Sequence, residues 1–264
     1  MLELHILASG SRGNAAVAEN AETGRSVLID CGICKRDFFA RCDAARVDPA
    51  AIDAILITHE HGDHTKGLGV LMRGLAKIGR CPAVYAAPET VRASKPLQDV
   101  RDTYDVRPLE SERPLSAAGL DIFPFPTSHD AAASFGFRIE AHGDAAGFMT
   151  DTGIVTDAAH AHLRDVRLLA LESNHDEKML REGPYPFAIK RRIASDTGHL
   201  SNDQAAGELA ALLGTRLEAV AAMHVSENNN EYDLAKRALA AVIAREGHPA
   251  RVLCGYQGRP TTLA

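Results

Sequence analysis

Apolar and polar positions alternate through Leu2–Ala8, with Leu2, Leu4, Ile6 and Ala8 on one face, which predicts an opening β-strand. Further short apolar runs predict strands at residues 15–18, 26–29, 52–58 and 82–86. Residues 33–45 read as a helix, and Pro49 can begin a short one. Residues 67–76 return to helical spacing, with Leu68, Leu71, Met72 and Leu75 on one side and Gly79 as the stop. Pro88 suits the first turn of another helix. Between residues 95 and 120 the pattern weakens into charge, proline and short apolar pairs, which predicts short strands and loops. A strand at 120–125 contains Pro124, so an edge or a bend is expected there. Residues 134–139 and 146–149 form the arms of a hairpin turned through His142, Gly143 and Asp144, and 166–171 is a further strand. The stretch 178–192 is mixed. Ser201 and Gln204 fit a capping box that opens a helix through Leu213, stopped by Gly214. Residues 217–223 are a strand, Asn230 can cap a helix running to about residue 246, and 250–254 form a closing strand before a short polar tail.

Polar, ligand-capable residues recur where apolar strands end, after residues 58, 126, 149 and 171. That repetition predicts loops gathered at one edge of a layered sheet structure. No solenoid-length repeat is visible, so residues 1–264 read as a single domain of two sheets covered by helices.

The most concentrated chemistry lies in the segment DAILITHEHGDHTKG, which begins at Asp53. An apolar run ends there in His59, His61, Asp63 and His64, with Glu60 among them. Neutral imidazole nitrogen and carboxylate oxygen together suit zinc, manganese or iron. The spacing looks like the start of a site for two metals about 3.5–4 Å apart. Other candidates are Ser128-His129-Asp130, Asp151 and the run Glu172-Ser173-Asn174-His175-Asp176. His199 stands just before a helix N-terminus, where anions are favoured. Ser226 and Asn229 follow His224, and Lys190-Arg191-Arg192 is the strongest basic run, either a solvated helix face or a phosphate contact. The turn SGSRGNA at 9–15 is either a plain hairpin turn or an anion nest; it lacks the lysine of a nucleotide P-loop.

Composition changes this picture in a few places. With 264 residues, 45% of them hydrophobic, the chain can bury one substantial core or two small ones. A net charge of -6 argues against a protein held to nucleic acid by bulk positive charge, but leaves room for a local basic groove or a metal-centred nuclease. There is no Trp, so base stacking would fall to Tyr, Phe or His. The five cysteines include the pair Cys31 and Cys34, with no second pair nearby, and read as structural thiols. No apolar segment approaches about 18 residues, so no membrane span is expected. Free thiols and no visible export signal predict a cytoplasmic protein.

The set His59, His61, Asp63, His64, His129, Asp151 and His224 resembles the metallo-beta-lactamase superfamily over nearly the whole chain. The resemblance implies an α/β fold, an αββα four-layer sandwich, with a dinuclear centre at one sheet edge. More narrowly, SGSRGNA, THEHGDHTKG, SHD at 128–130, TDTG at 150–153, ESNHD at 172–176, GHLSN at 198–202 and HVSENNN at 224–230 are similar to the YycJ/WalJ subfamily. That likeness implies a DNA exonuclease acting from a 5′ end. Carried over, the pattern implies that His59, His61 and His129 hold one ion, that Asp63, His64 and His224 hold the other, and that Asp151 bridges them. The ions, zinc or manganese rather than iron, would turn a shared water into hydroxide that attacks phosphorus in line. Asp63 would also orient that water. His199 would touch the scissile phosphate or protonate the leaving oxygen. Glu60 and Asp130 would support ligand histidines, Asn174 and His175 would wall the pocket, and Ser226 and Asn229 would donate to substrate or brace the ligand loops.

The chain departs from many nucleases of the superfamily in lacking a large inserted domain between Asp151 and His224. A phosphodiesterase for small molecules, or a thioester hydrolase of the same fold, is therefore the competing enzyme reading. A non-catalytic metal-binding protein is the reading from another class. The sequence leaves DNA against RNA, digestion polarity, single strand against duplex, and a homo-oligomer open.

Overall fold

A computed structural model describes all 264 residues. The first half of the chain builds one sheet. Its strands are β1 (Leu2–Ala8), β2 (Ala15–Asn20), β3 (Arg25–Ile29), β4 (Ile52–Leu56), β5 (Ala83–Ala86) and β6 (Val106–Pro108). Helices α1 (Lys35–Ala45), α2 (Gly62–Thr65), α3 (Leu68–Lys77), α4 (Pro88–Ala93) and α5 (Lys95–Arg101) lie between them. The second half builds the other sheet from β7 (Leu115–Ala117), β8 (Leu120–Pro126), β9 (Phe135–Ala141), β10 (Asp144–Met149), β11 (Leu168–Glu172), β12 (Ala219–Met223) and β13 (Arg251–Cys254). Its helices are α6 (Asp157–Leu163), α7 (Glu177–Glu182), α8 (Phe187–Ile193), α9 (Asn202–Leu212) and α10 (Tyr232–Arg245), and β14 (Thr261–Leu263) ends the chain. The sheet orders are β14-β1-β2-β3-β4-β5-β6 and β13-β12-β11-β10-β9-β8-β7.

Strand composition explains the layers. In β4, Ala54 and Leu56 face the other sheet, while Ile52 and Ile55 face α1, α3 and α5. In β11, Leu168 and Ala170 join the inter-sheet core, while Leu169 and Leu171 pack with residues of α6, α9 and α10. Strands buried on both faces must be apolar throughout, which is why these runs lack polar alternation. Three apolar clusters result, one between the sheets and one under each helical layer. The architecture is an αββα sandwich.

Several local expectations need correction. Residues 95–101 form helix α5 instead of loop, because Ser94 accepts from the Leu97 amide and Pro96 fits the first turn. Ala8 leaves the face of Leu2, Leu4 and Ile6 because a bulge interrupts the ladder between Ile6 and Ala8. Asn230 does not cap α10. Its Nδ2 donates to Ser173 O at 3.1 Å and Asn174 O at 3.0 Å, tying the β11 loop, and Glu231 takes the cap position. The polar tail is not loose, since Leu263 pairs with Leu4 at the edge of the first sheet. Helix α6 follows a Thr156 cap at a point where no element was expected. Pro124 lies in β8 beyond the span paired with β7, where no ladder donor is missed.

Two strand ends are fastened away from the ligand loops. Arg167, before β11, donates from Nε and Nη2 to the two oxygens of Asp144, each at 2.9 Å. Its Nη2 also donates to Leu2 O at 2.6 Å, and the Leu2 amide donates to Asp144 Oδ2 at 2.8 Å. This clasp joins β1 of one sheet to β10 of the other. Burial would raise the Asp144 carboxyl, but Arg167 and the Leu2 amide outweigh it and hold it below the ordinary range. Removing one partner of such a buried pair strands the other, so Arg167→Ala should cost about 3–5 kcal/mol in urea unfolding near neutral pH. Because the native carboxyl is depressed, the stabilisation is complete above about pH 4 and fades as pH falls through the native value. Wild type and Asp144→Asn should therefore converge in stability in acid; an undiminished gap there would contradict the clasp.

Candidate metal centre

The site lies at the carboxyl ends of strands β3, β4, β10, β11 and β12. After β4 the backbone stays extended through His61, then turns into the single helical turn α2, which brings Asp63 and His64 inward. Two neighbouring loops hold that turn. The Asn14 amide donates to Asp63 O at 2.8 Å and the Cys31 amide to His64 O at 2.7 Å. Gly32 is required here, since a Cβ at that position would lie 1.5 Å from Asp63 O. Asp30 and His224 follow β3 and β12 directly and Asp151 stands two residues past β10, each with a positive φ between 52° and 62°. Such backbone, uncommon for residues other than glycine, turns Asp151 and His224 into one gap and Asp30 onto the His64 ring behind it.

Four donor groups converge there, one of them Asp151, Glu172, His199 and His224. One ring nitrogen each from His59, His61 and His129 lie within 4.8 Å of one another. Asp63, His64 and His224 form a second such set, and Asp151 shares a third with His59 and His64. Asp151 Oδ2 is 3.3 Å from His64 Nε2, and its Oδ1 is 3.7 Å from His129 Nε2, so the carboxylate stands between the two sets. Asp63 Oδ2 is 3.5 Å from His224 Nε2 and 3.6 Å from His64 Nε2. The structure thus brings together all seven residues expected as ligands.

Most of the rings are fixed from behind. His64 Nδ1 donates to Asp30 Oδ2 at 2.7 Å, and Asp30 also accepts from the Thr58 amide and hydroxyl. His129 Nδ1 donates to Gly198 O at 3.1 Å. Glu172 Oε1 accepts from His224 Nδ1 at 3.1 Å and His199 Nδ1 at 2.8 Å, while its Oε2 accepts from the Thr152 amide at 2.9 Å. Each bond sets a tautomer and leaves the other ring nitrogen for the gap. Asp30 and Glu172 are both buried. Glu172 was a candidate only within the run 172–176, with no role assigned, and Asp30 was not expected, standing as the polar end of an apolar run.

Charge in the gap is mutually dependent. Burial drives the His59 ring well below its ordinary value, so it is neutral and able to ligate. Burial also opposes charge on His64 and His224. Asp151 and Asp30 nevertheless raise His64 well above its usual value, and Asp151, Asp63 and Glu172 bring His224 up to about 10. Burial likewise disfavours the Asp151 anion, but His224 and His64 hold its carboxyl well below the usual range. Glu172, opposed by burial and favoured by His199, sits at about 2. The carboxylates therefore stay ionised, and the gap favours cations.

The weaker expectations divide. Asn174 donates from Nδ2 to His224 O at 2.8 Å and lines the cleft, as does Ser226. Glu60 supports no ligand ring; its Oε1 accepts from the Ala132 amide and so ties down the loop after His129. Asp130 lies with Oδ1 3.5 Å from His129 Nε2 and is also engaged by Arg192, whose Nη2 donates at 2.9 Å. His175 lines a neighbouring cavity beyond the cleft. Asn229 is fully buried, its amide donating to Ser226 Oγ at 3.2 Å, and it braces the loop without reaching the cleft. The glycine-rich turn is not an anion nest, because Asn14 Oδ1 and Gln257 Oε1 accept from the Gly10 and Arg12 amides.

Two observations test whether metal ions fit. His59 Nε2 and His224 Nε2 are buried with no hydrogen-bond partner, a costly state that a cation relieves. The donor set is imidazole nitrogen with carboxylate oxygen, suited to zinc or manganese. The residues fit divalent ions. The cleft above them has a volume of about 280 Å³ and is walled by His199, Tyr185, Ile189 and Arg192.

Residues 25–225 match the family model described as the beta-lactamase superfamily domain. The chain is 34% identical over 247 residues to a Bacillus anthracis protein named exodeoxyribonuclease YycJ, covering 93% of this chain and 90% of that one. It is 35% identical over 243 residues to exodeoxyribonuclease WalJ of Streptococcus pneumoniae serotype 2, covering 91% and 87%. The metallo-beta-lactamase fold protein YhfI of Bacillus subtilis superposes with a TM-score of 0.73 at 15% identity, covering 99% of each chain. No helix is long and apolar enough to cross a membrane.

Because Asp30 orients His64 without entering the gap, Asp30→Ala should weaken metal retention by about 10–100-fold while the protein stays folded. Chelator competition followed by metal analysis measures this, and retention equal to wild type would show that the Asp30 bond is dispensable.

Proposed function

The chain belongs to the beta-lactamase superfamily and is a metal-dependent hydrolase; from that premise we propose that it is an exodeoxyribonuclease that degrades DNA from a 5′ end. The observation that carries the choice of DNA is the near full-length likeness to two proteins named exodeoxyribonuclease, at 34% and 35% identity. The exposed cleft suits a phosphodiester and its immediate neighbours, with the rest of a polymer lying outside it.

His59, His61 and His129 would hold one divalent ion and Asp63, His64 and His224 the other, with Asp151 between them. Bound there, such ions supply Lewis-acid polarisation of a phosphoryl oxygen and activation of water. The protein's own groups supply the rest. Asp63, whose side chain is 23% exposed, reaches the cleft and can accept a proton from a water beside it. His199 donates from Nδ1 to Glu172, which fixes the ring and leaves Nε2 as the atom available for proton transfer. His199 is the catalytic acid in this reading, delivering a proton from Nε2 to the leaving oxygen, and Glu172 is its positioning residue. Arg192, held by Asp130, places a permanent positive charge on the cleft wall.

End-labelled single-stranded and duplex DNA and matched RNA, with manganese or zinc, test the substrate. Mononucleotides should appear in order from the 5′ end and disappear with chelator and in Asp151→Ala. Internal cuts in RNA would move the protein to RNA processing, and no cleavage beside turnover of small diesters would make it a small-molecule phosphodiesterase.

His199→Ala should lower kcat on DNA by about 10²–10⁴-fold. The loss should be far smaller on bis(p-nitrophenyl) phosphate, whose leaving group needs no proton. Equal losses on the two substrates would remove the acid role.

A further inference from the structure

Beyond the catalytic cleft lies a second cavity of about 460 Å³, and α8 is the wall between the two. Ile189, Arg192 and Ile193 face the cleft, whereas Phe187, Lys190 and Ala194 face the second cavity. At 100° per residue these sets fall on opposite sides of one helix. Phe187 is 79% exposed, which for a phenylalanine beside an open cavity leaves a large ring face without a partner. Leu180 and His175 also line this cavity, and Arg181 and Lys190 bring positive charge to it.

Charge and shape agree on the occupant. Residues 176–193 carry five basic side chains against three acidic ones, in a chain of net charge -6. The one acidic residue of the lining, Glu177, accepts from Ser201 Oγ at 3.3 Å. Burial pushes the His175 ring down to about 4, so at neutral pH it adds no charge to the wall. Its Nδ1 has no hydrogen-bond partner. A flat aromatic ring between lysine and arginine matches how proteins hold unpaired bases, by stacking the base and neutralising its phosphate.

We propose that this cavity is a nucleobase subsite: an unpaired base of the substrate strand stacks on Phe187, with Lys190 and Arg181 on the adjoining phosphates, while a neighbouring linkage lies in the metal cleft across α8. The inference rests on the nuclease reading for its substrate and extends it by specifying a single-stranded segment, since a paired base cannot enter a cavity beside its own helix. A helix is about 10 Å across with its side chains, a span that successive nucleotides of an extended strand bridge.

Fluorescence anisotropy of the metal-loaded protein with a cleavage-resistant phosphorothioate oligo-dT is the test, beside turnover of bis(p-nitrophenyl) phosphate. Phe187→Ala should weaken oligonucleotide binding by about 5- to 100-fold. Phe187→Tyr should restore it, and Lys190→Ala should flatten its salt dependence. Turnover of the small diester, which spans the cleft alone, should stay within about twofold. Unchanged binding by Phe187→Ala, or equal loss of binding and of small-diester turnover, would overturn the subsite. The two proposals fail separately: wild type that binds the oligonucleotide through Phe187 but cuts no DNA defeats the nuclease reading alone, and wild type that cuts DNA regardless of Phe187 defeats the subsite alone.

Discussion

The structure depends on holding buried imidazoles in one orientation while their free nitrogens point at each other. Left alone, such a cluster would either protonate and repel or turn its polar atoms outward. Here Asp30 anchors His64, Gly198 O anchors His129, and Glu172 anchors both His224 and His199. Every anchor sits at a strand end or in a loop pinned by its neighbours. The metal-binding capacity is therefore a property of the two sheets' shared edge and not of the histidine loop alone.

That edge is possible because the two halves of the sandwich are parallel where it matters. Strands β3 to β6 run parallel in one sheet and β10 to β13 in the other, so their carboxyl ends bring short loops to one side. The cost of gathering polar groups there is met elsewhere, by apolar strands buried on both faces and by the Arg167–Asp144 clasp at the amino ends of β10 and β11. Chemistry occupies one end of the strands and fastening the other. A chain arranged this way can vary its site loops without loosening its core.

How much of this was legible follows from sequence distance. His59, His61, Asp63 and His64 are adjacent in the chain, so their chemistry reads directly from spacing, and the strand before them from its continuous apolar run. His129, Asp151 and His224 are isolated residues that gained meaning only as part of a family pattern. Asp30 and Glu172 bond rings 34 and 52 residues away, a pairing that no local pattern carries. Helix α5 was obscured by its charged surface, although its Ser94 cap was readable. Asn230 looked like a cap because asparagine usually serves as one; its Oδ1 instead accepts from Asn202 Nδ2 and the Glu231 amide while its Nδ2 holds two loop carbonyls. Glu60 turns to the Ala132 amide while Asp130 stays beside its neighbouring ring, since adjacency to a ligand histidine in sequence does not by itself set where a side chain points.

Net charge, the one global property that seemed to weigh against a nucleic-acid substrate, loses force in the folded chain. At physiological ionic strength, charges more than about 8 Å apart across solvent are largely screened. A phosphate arriving at the cleft thus responds to what surrounds the cleft and little else. What it meets is Arg192 on the wall and a gap whose buried carboxylates favour divalent cations, with Lys190 on the far side of the same short helix. Acidic side chains elsewhere are in part neutralised by pairing, as with Asp53 by Arg25 and Arg80. A polyanion therefore meets positive charge locally, on Arg192 and its helix, in a protein that is acidic as a whole.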